Sequence, residues 1–244
     1  MSDPADPFRH HPRLRDQILP IEKSFFRGKT LDQIKAMIAG TGGDTSFLLT
    51  EDAREACRAR TMQGRLERDL WVFAYGSLIW DPALHFSELR RGFSASVQRR
   101  FILKDIGGGR GTADAPGLMA ALDRGDGCHG MVFRIDAALV PQESYFLWLR
   151  ERIGAAYQPV FIPVETAQGQ VEALTFMADH DSILIDGSLT HDQQVAYCAT
   201  GTGFLGSSLE YVENIARNFA EIGIEDAGVT RLLSDARAYR AAMD

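Results

Sequence analysis

The sequence predicts an α+β fold: a barrel or strongly curved sheet of short strands, followed by helices and preceded by a helical extension. Three observations carry this. Between Trp71 and Ala178, short apolar runs recur, most of them separated by Gly-rich or polar turns. Beyond them the periodicity becomes helical, with capping-box patterns at Thr190-His191-Asp192-Gln193 and Ser207-Ser208-Leu209-Glu210. Ahead of Trp71 lie two further helical patterns, so we divide the chain into an arm with helical extension (1–68) and a main domain (69–244).

Composition narrows the classes. A chain of 244 residues with 45% apolar and 24% charged content can bury a sizeable core. A net charge of −7 without Lys/Arg runs argues against a nucleic-acid partner. No stretch approaches the roughly 20 apolar residues of a membrane helix, and the polar N-terminus lacks the apolar core of a signal peptide. Cys57, Cys128 and Cys198 are widely spaced, giving neither a zinc pattern nor a disulfide framework. Reduced thiols and a cytoplasmic location are the simple reading.

Residues 1 to about 29 are rich in Pro, Arg, His and Asp and read as an extended or loosely docked arm. Adjacent His10 and His11 are expected to be solvated rather than metal-bound. Thr30 to Gln33 reads as a capping box, with Leu31, Ile34, Met37 and Ile38 on one helical face and Gly40 to Gly43 ending it. A second helix spans Thr50 to about Met62, with acidic residues at its start and Arg58 and Arg60 near its end. Strands follow at Trp71 onward, at Val97–Leu103 with Val97, Arg99, Phe101 and Leu103 on one side, and at 117–122, 128–135, 158–164 and 171–178. One helix interrupts them. Pro141 suits its first turn, Tyr145, Phe146, Leu149 and Ile153 its apolar face, and Gly154 its end. In the C-terminal helices, Tyr211, Val212, Ile215, Phe219 and Ile222, then Val229, Leu232, Leu233, Ala236 and Tyr239, form apolar stripes that read as core packing.

The stretch from Trp71 to Pro82 organises the rest. An aromatic strand breaks at Gly76-Ser77 and resumes apolar character at once. Successive N–H groups of such a loop can converge on an anion, although the spacing alone favours an ordinary turn. Asp105 to Thr112 is glycine-rich but lacks the Gly-Lys-Ser/Thr ending of a phosphate loop, and a mobile loop beside a site is the better reading. No HExxH pattern occurs, and Ser77 is outside any GxSxG elbow. Glu151 lies one helical turn from Leu147. A carboxylate near an apolar face gains a raised pKa and suits general acid–base work; periodicity alone favours a surface glutamate flanked by Arg150 and Arg152.

The run Trp71-Val72-Phe73-Ala74-Tyr75-Gly76-Ser77-Leu78-Ile79-Trp80 resembles the signature of the ChaC family of gamma-glutamylcyclotransferases. Four later blocks are similar to the family's in the same order: Arg110-Gly111-Thr112 with Pro116-Gly117-Leu118; Gly130 to Arg134; Leu149-Arg150-Glu151 with Tyr157; and Gly201 to Ser207 with Glu210-Tyr211. The resemblance covers residues 69 to about 235. It implies a compact mixed β-barrel flanked by helices, with Tyr75, Gly76, Ser77 and Leu78 binding the γ-glutamyl group and Glu151 as catalytic glutamate. The implied reaction cleaves glutathione to 5-oxoproline and cysteinylglycine with no metal or cofactor. Cyclisation of other γ-glutamyl amines, or a non-catalytic role in regulating cation transport, are the alternatives. Two departures stand out. Gly154-Ala155-Ala156-Tyr157 replaces the usual Gly-Gly-Tyr, and Ile185 stands near a position where members tend to carry a substrate-holding tyrosine.

Overall fold

The computed structural model describes residues 6–40 and 45–243. The strands are β1 (Leu70–Ala74), β2 (Glu88–Ser94), β3 (Val97–Gly107), β4 (Thr112–Arg124), β5 (Cys128–Ile135), β6 (Tyr157–Thr166) and β7 (Gly169–Ala178); β2 has no counterpart among the expected runs, because Glu88, Arg90 and Arg91 leave it without an apolar stretch. They form one sheet in the order β1-β5-β2-β6-β7-β4-β3. β7 also pairs in parallel with β1, Trp71 opposite Ala173 and Val72 opposite Leu174. That pairing closes β1, β5, β2, β6 and β7 into a five-stranded barrel, which leaves neither β1 nor β7 as a bare edge. The β3–β4 hairpin extends from β7 through Leu122 and Met177.

β3 departs from simple alternation. Its register with β4 shifts between Arg100 and Leu103, and Phe101, Ile102 and Leu103 are all buried. A bulge of this kind turns consecutive side chains inward and sharpens the local twist.

The helices are α1 (Leu31–Gly40), α2 (Glu51–Thr61), α3 (Val140–Glu151), α4 (His191–Thr200), α5 (Ser208–Glu221) and α6 (Ala227–Ala241). None is long and apolar enough to cross a membrane. Reciprocal caps form at Thr30/Gln33, Thr190/Gln193 and Ser207/Glu210, as their spacing predicts. The expected end of α1 continues to Gly43, outside the described residues. The α5 stripe is wholly buried, and the α6 stripe is buried except for Tyr239.

α3 differs from expectation. It ends at Glu151, and its buried apolar face is Val140, Leu147, Trp148 and Leu149; Tyr145 is 38% exposed. The Trp148 ring meets Phe176 of β7 edge-on at 5.3 Å, which docks the helix on the barrel. Phe146 instead lies under the Arg27 guanidinium, 3.9 Å away.

The arm is not loosely docked. Leu14 is 1% exposed and joins the main core with Ile18. The Leu19 N–H donates to the Trp80 carbonyl at 2.7 Å. Arg27 makes two 2.6 Å bonds to the buried Glu143 carboxylate. His10 bonds Glu88 at 3.0 Å, and the His11 Nε2 accepts the Arg91 N–H at 3.0 Å. The two histidines therefore dock the arm rather than face water. Apolar anchors four residues apart, Leu14 and Ile18, suffice to hold a segment whose other residues are mostly polar.

Candidate active site

β1 delivers Tyr75 and Gly76 to the rim of the barrel, and a single 3-10 turn, Ser77–Ile79, follows. The Ile79 N–H donates to the Gly76 carbonyl and the Asp81 N–H to the Ser77 carbonyl, both at 2.9 Å. The N–H groups of Gly76, Ser77 and Leu78 donate to no acceptor among the described residues, as expected for the first amides of a helical turn. Tyr75 and Leu78 turn their side chains into the core, whereas Ser77 faces a cavity of about 440 Å³.

Glu151 opens onto the same cavity from the last residue of α3. Its side chain is only 14% exposed, and its Oε1 lies 3.0 Å from Arg150 Nε. Burial pushes the Glu151 carboxyl above the ordinary range, and the Arg150 charge opposes this. The same guanidinium donates from Nη2 to Ser77 Oγ at 2.9 Å, and from Nη1 to the Asp81 carbonyl. Arg150 thus ties the end of α3 to the turn after β1, and brings the carboxylate and the loop to one place. The surface reading of Glu151 is excluded by this burial.

Three tyrosines surround this place: Tyr75 and Tyr211 are buried, Tyr157 is half-buried, and Tyr157 and Tyr211 line the cavity. Tyr75 donates to the Phe176 carbonyl at 3.0 Å, and Tyr157 to the Ala120 carbonyl at 3.2 Å. Tyr211 accepts the Ala120 N–H at 3.3 Å. Burial holds all three phenols above their usual pKa, so they remain neutral. Arg110 lies 5.0 Å from the Tyr211 ring centre and donates to the Ser207 carbonyl at 3.0 Å.

The glycine-rich turn between β3 and β4 borders the cavity through Gly107 and Gly109. Its N–H groups at Gly107 and Arg110 point at the Asp105 carboxylate. The amides a phosphate would need are therefore satisfied internally. Phe204 and Leu205 brace the turn, their N–H groups bonding the Gly108 and Gly109 carbonyls at 3.0 and 2.8 Å.

The remaining wall comes largely from the N-terminal extension, through Leu19, Phe25, Phe26, Ile34, Ile38 and Phe47. Phe25 stacks on Phe204 at 5.8 Å, and Arg150 lies 4.7 Å from the Phe26 ring centre. Ile185 does not line the cavity. It is 8% exposed and sits in a small cluster with Ile102, Leu103 and Ala121, paired with Leu103 across an isolated bridge. Its neighbour Leu184 reaches the cavity instead. Among the described residues, no group of three His, Cys, Asp or Glu could hold a metal ion.

Arg150 and the wall of the extension were not legible as site residues. Arg150 carries one signal, a cation between Leu149 and Glu151 in a helix otherwise buried there. Tyr211 falls on an apolar helical stripe, and its hydroxyl alone distinguishes it from core.

Residues 70–239 match the model of the ChaC-like protein family. The glutathione-specific gamma-glutamylcyclotransferase of Escherichia coli (strain K12) is 34% identical, over 78% of this chain and 83% of its own. Glutathione-specific gamma-glutamylcyclotransferase 1 of Danio rerio is 28% identical, over 68% of this chain and 86% of its own. A crystal structure of the yeast gamma-glutamyl cyclotransferase specific to glutathione superposes with a TM-score of 0.65 at 21% identity, over 71% of this chain and 97% of that one, and shares the fold. By family model and relatives alike, the chain belongs to the ChaC-like protein family.

Proposed function

We propose that the chain is a glutathione-specific gamma-glutamylcyclotransferase, with Glu151 as acid–base and the backbone of Tyr75, Gly76, Ser77 and Leu78 holding the γ-glutamyl group. The observation that carries the proposal is a largely buried carboxylate, Glu151, one guanidinium away from Ser77 on a shared cavity. The names of the relatives supply the substrate.

The substrate contains its own nucleophile. Its α-amine nitrogen attacks the γ-carbonyl carbon and closes a five-membered lactam, and the bond to the cysteinyl nitrogen breaks. The two protons given up by the α-ammonium equal the two gained by the cysteinyl nitrogen. Glu151 carries protons from the first to the second and ends unchanged. Its raised pKa brings it nearer the working pH, where acceptance and return of a proton are both accessible. The unpaired N–H groups of Gly76, Ser77 and Leu78 suit the oxyanion or the α-carboxylate. A cavity that fixes the extended substrate in a bent, near-attack form supplies the rest, since intramolecular attack then costs little further entropy.

In this reading residues 69–244 carry the chemistry and the extension walls the substrate's leaving end. A cytoplasmic location fits three buried free thiols and a substrate class abundant in reducing compartments. The test is direct: purified protein is incubated with glutathione and 5-oxoproline is assayed. Stoichiometric 5-oxoproline and cysteinylglycine support the reading, and no release from glutathione rejects it.

A further inference from the structure

We propose that Lys23, in the N-terminal extension, is a specificity-determining residue that pairs with the carboxylate at the leaving end of the substrate. The inference rests on the cyclotransferase reading above and concerns a residue outside the segment matched by the family model.

The argument is one of charge and position. Three cations line the cavity: Lys23, Arg110 and Arg150. Arg150 is committed to Ser77, Asp81 and Glu151. Arg110 donates to the Ser207 carbonyl and lies against the Tyr211 ring, next to Gly76. Both therefore belong to the end of the cavity where the γ-glutamyl group would sit. Lys23 is exposed, and its ammonium has no hydrogen-bond or ion-pair partner among the described residues. It is held by the turn Ile21–Lys23, whose last N–H donates to the Pro20 carbonyl at 2.8 Å, just before the Phe25–Phe26 wall.

Glutathione carries two carboxylates. One is on the γ-glutamyl carbon that enters the ring. The other is the glycyl carboxylate, at the opposite end of the tripeptide and remote from the reacting bond. Apolar wall on either side cannot satisfy that second charge. A flexible ammonium at the rim can, without withdrawing it fully from water. Simple γ-glutamyl amines lack this group, so the contact would favour the tripeptide by its distal charge. Because the pairing is the same in ground and transition states, it acts on KM rather than kcat.

The experiment compares glutathione with its glycyl amide, which keeps the scissile bond and removes the distal charge, on wild type, Lys23→Met and Lys23→Arg. The wild type is expected to favour glutathione over the amide. Lys23→Met should lower the ratio of the two kcat/KM values roughly two- to fivefold through the KM for glutathione, as for an ion pair near solvent. Lys23→Arg should largely keep the ratio. An unchanged ratio in Lys23→Met, or equal losses on both substrates, overturns the assignment while the reaction stands. A wild type that forms 5-oxoproline from neither compound overturns the reaction, and the assignment with it.

Discussion

Tyr211 stands directly against Gly76: a Cβ added at Gly76 would come 2.8 Å from the Tyr211 hydroxyl oxygen, but 3.9 Å from the ring carbon that bears it. The first distance requires something to move, and the second is ordinary contact. Tyr211 is not free to retreat, because it accepts the Ala120 N–H and packs edge-on against Trp80 at 5.7 Å. Gly76→Ala should therefore destabilise the protein by about 1–3 kcal/mol, as overpacking does. Combined with Tyr211→Phe, which removes the offending oxygen, it should cost clearly less than the two single changes together. Urea denaturation of the four proteins measures this; strict additivity would show that the two residues do not press on one another.

Glu151→Gln is expected to keep the fold and lose turnover by at least about 10²–10⁴-fold, since the amide cannot cycle a proton. The stability of the variant carries a second signature. Burial raises the Glu151 pKa, so the folded protein holds this proton at a pH where the unfolded chain has released it. The wild type's stability relative to Glu151→Gln is then greatest below the ordinary 4.5 and declines as pH rises through the raised value. Melting curves of both proteins between acid and neutral pH would test the sign. A difference that grows with pH would mean that Arg150 outweighs burial.

The legible and illegible parts of this molecule divide along physical lines. Local signals were decisive where the structure is locally determined. The three reciprocal caps each need only residues three apart, and β5 has the bounds that its apolar run indicates. Glu151 and Ser77 were identified through a motif resemblance. What joins them, Arg150, bonds Ser77 across 73 positions of sequence, and no periodicity reports such a contact. The arm misled for a related reason. Its composition is that of a solvated segment, yet Leu14 and Ile18 enter a core built by residues far along the chain. Ile185, expected near a substrate-holding position, packs into a small cluster while Leu184 lines the cavity, because in a loop neighbouring side chains point apart and sequence position does not say which faces a cavity.

The docked arm makes a prediction opposite to the one its composition suggests. Leu14→Ala should destabilise the protein by about 2–5 kcal/mol, the usual cost of a cavity at a fully buried leucine. Because Leu19, Phe25 and Phe26 follow on the same segment and line the cavity, removal of residues 1–29 should also reduce turnover. Full activity and stability in that truncation would show that the cavity does not need this wall.

The arm is also fastened electrostatically, and that fastening should fail in acid. The Glu88 side chain is 2% exposed and receives Arg9 at 2.5 Å, Arg90 at 2.7 Å and His10 at 3.0 Å. Burial alone would raise its pKa; Arg90, Arg9 and His10 more than reverse this and hold it at about 2. Relative to the ordinary 4.5, such a shift corresponds to about 3 kcal/mol at 1.36 kcal/mol per pKa unit. A carboxylate with a lowered folded-state pKa contributes its stability fully above the unfolded value, and loses it as pH falls from about 5 towards 2. Glu88→Gln should therefore be markedly less stable than wild type at neutral pH, with the gap closing across that range. Arg9 and His10 belong to the arm, so the same substitution should loosen it. Limited trypsin digestion at Arg9, Arg13 and Arg15 should then proceed faster in Glu88→Gln at neutral pH. Equal cleavage rates, or a stability gap independent of pH, would show that the arm is held without help from the Glu88 cluster.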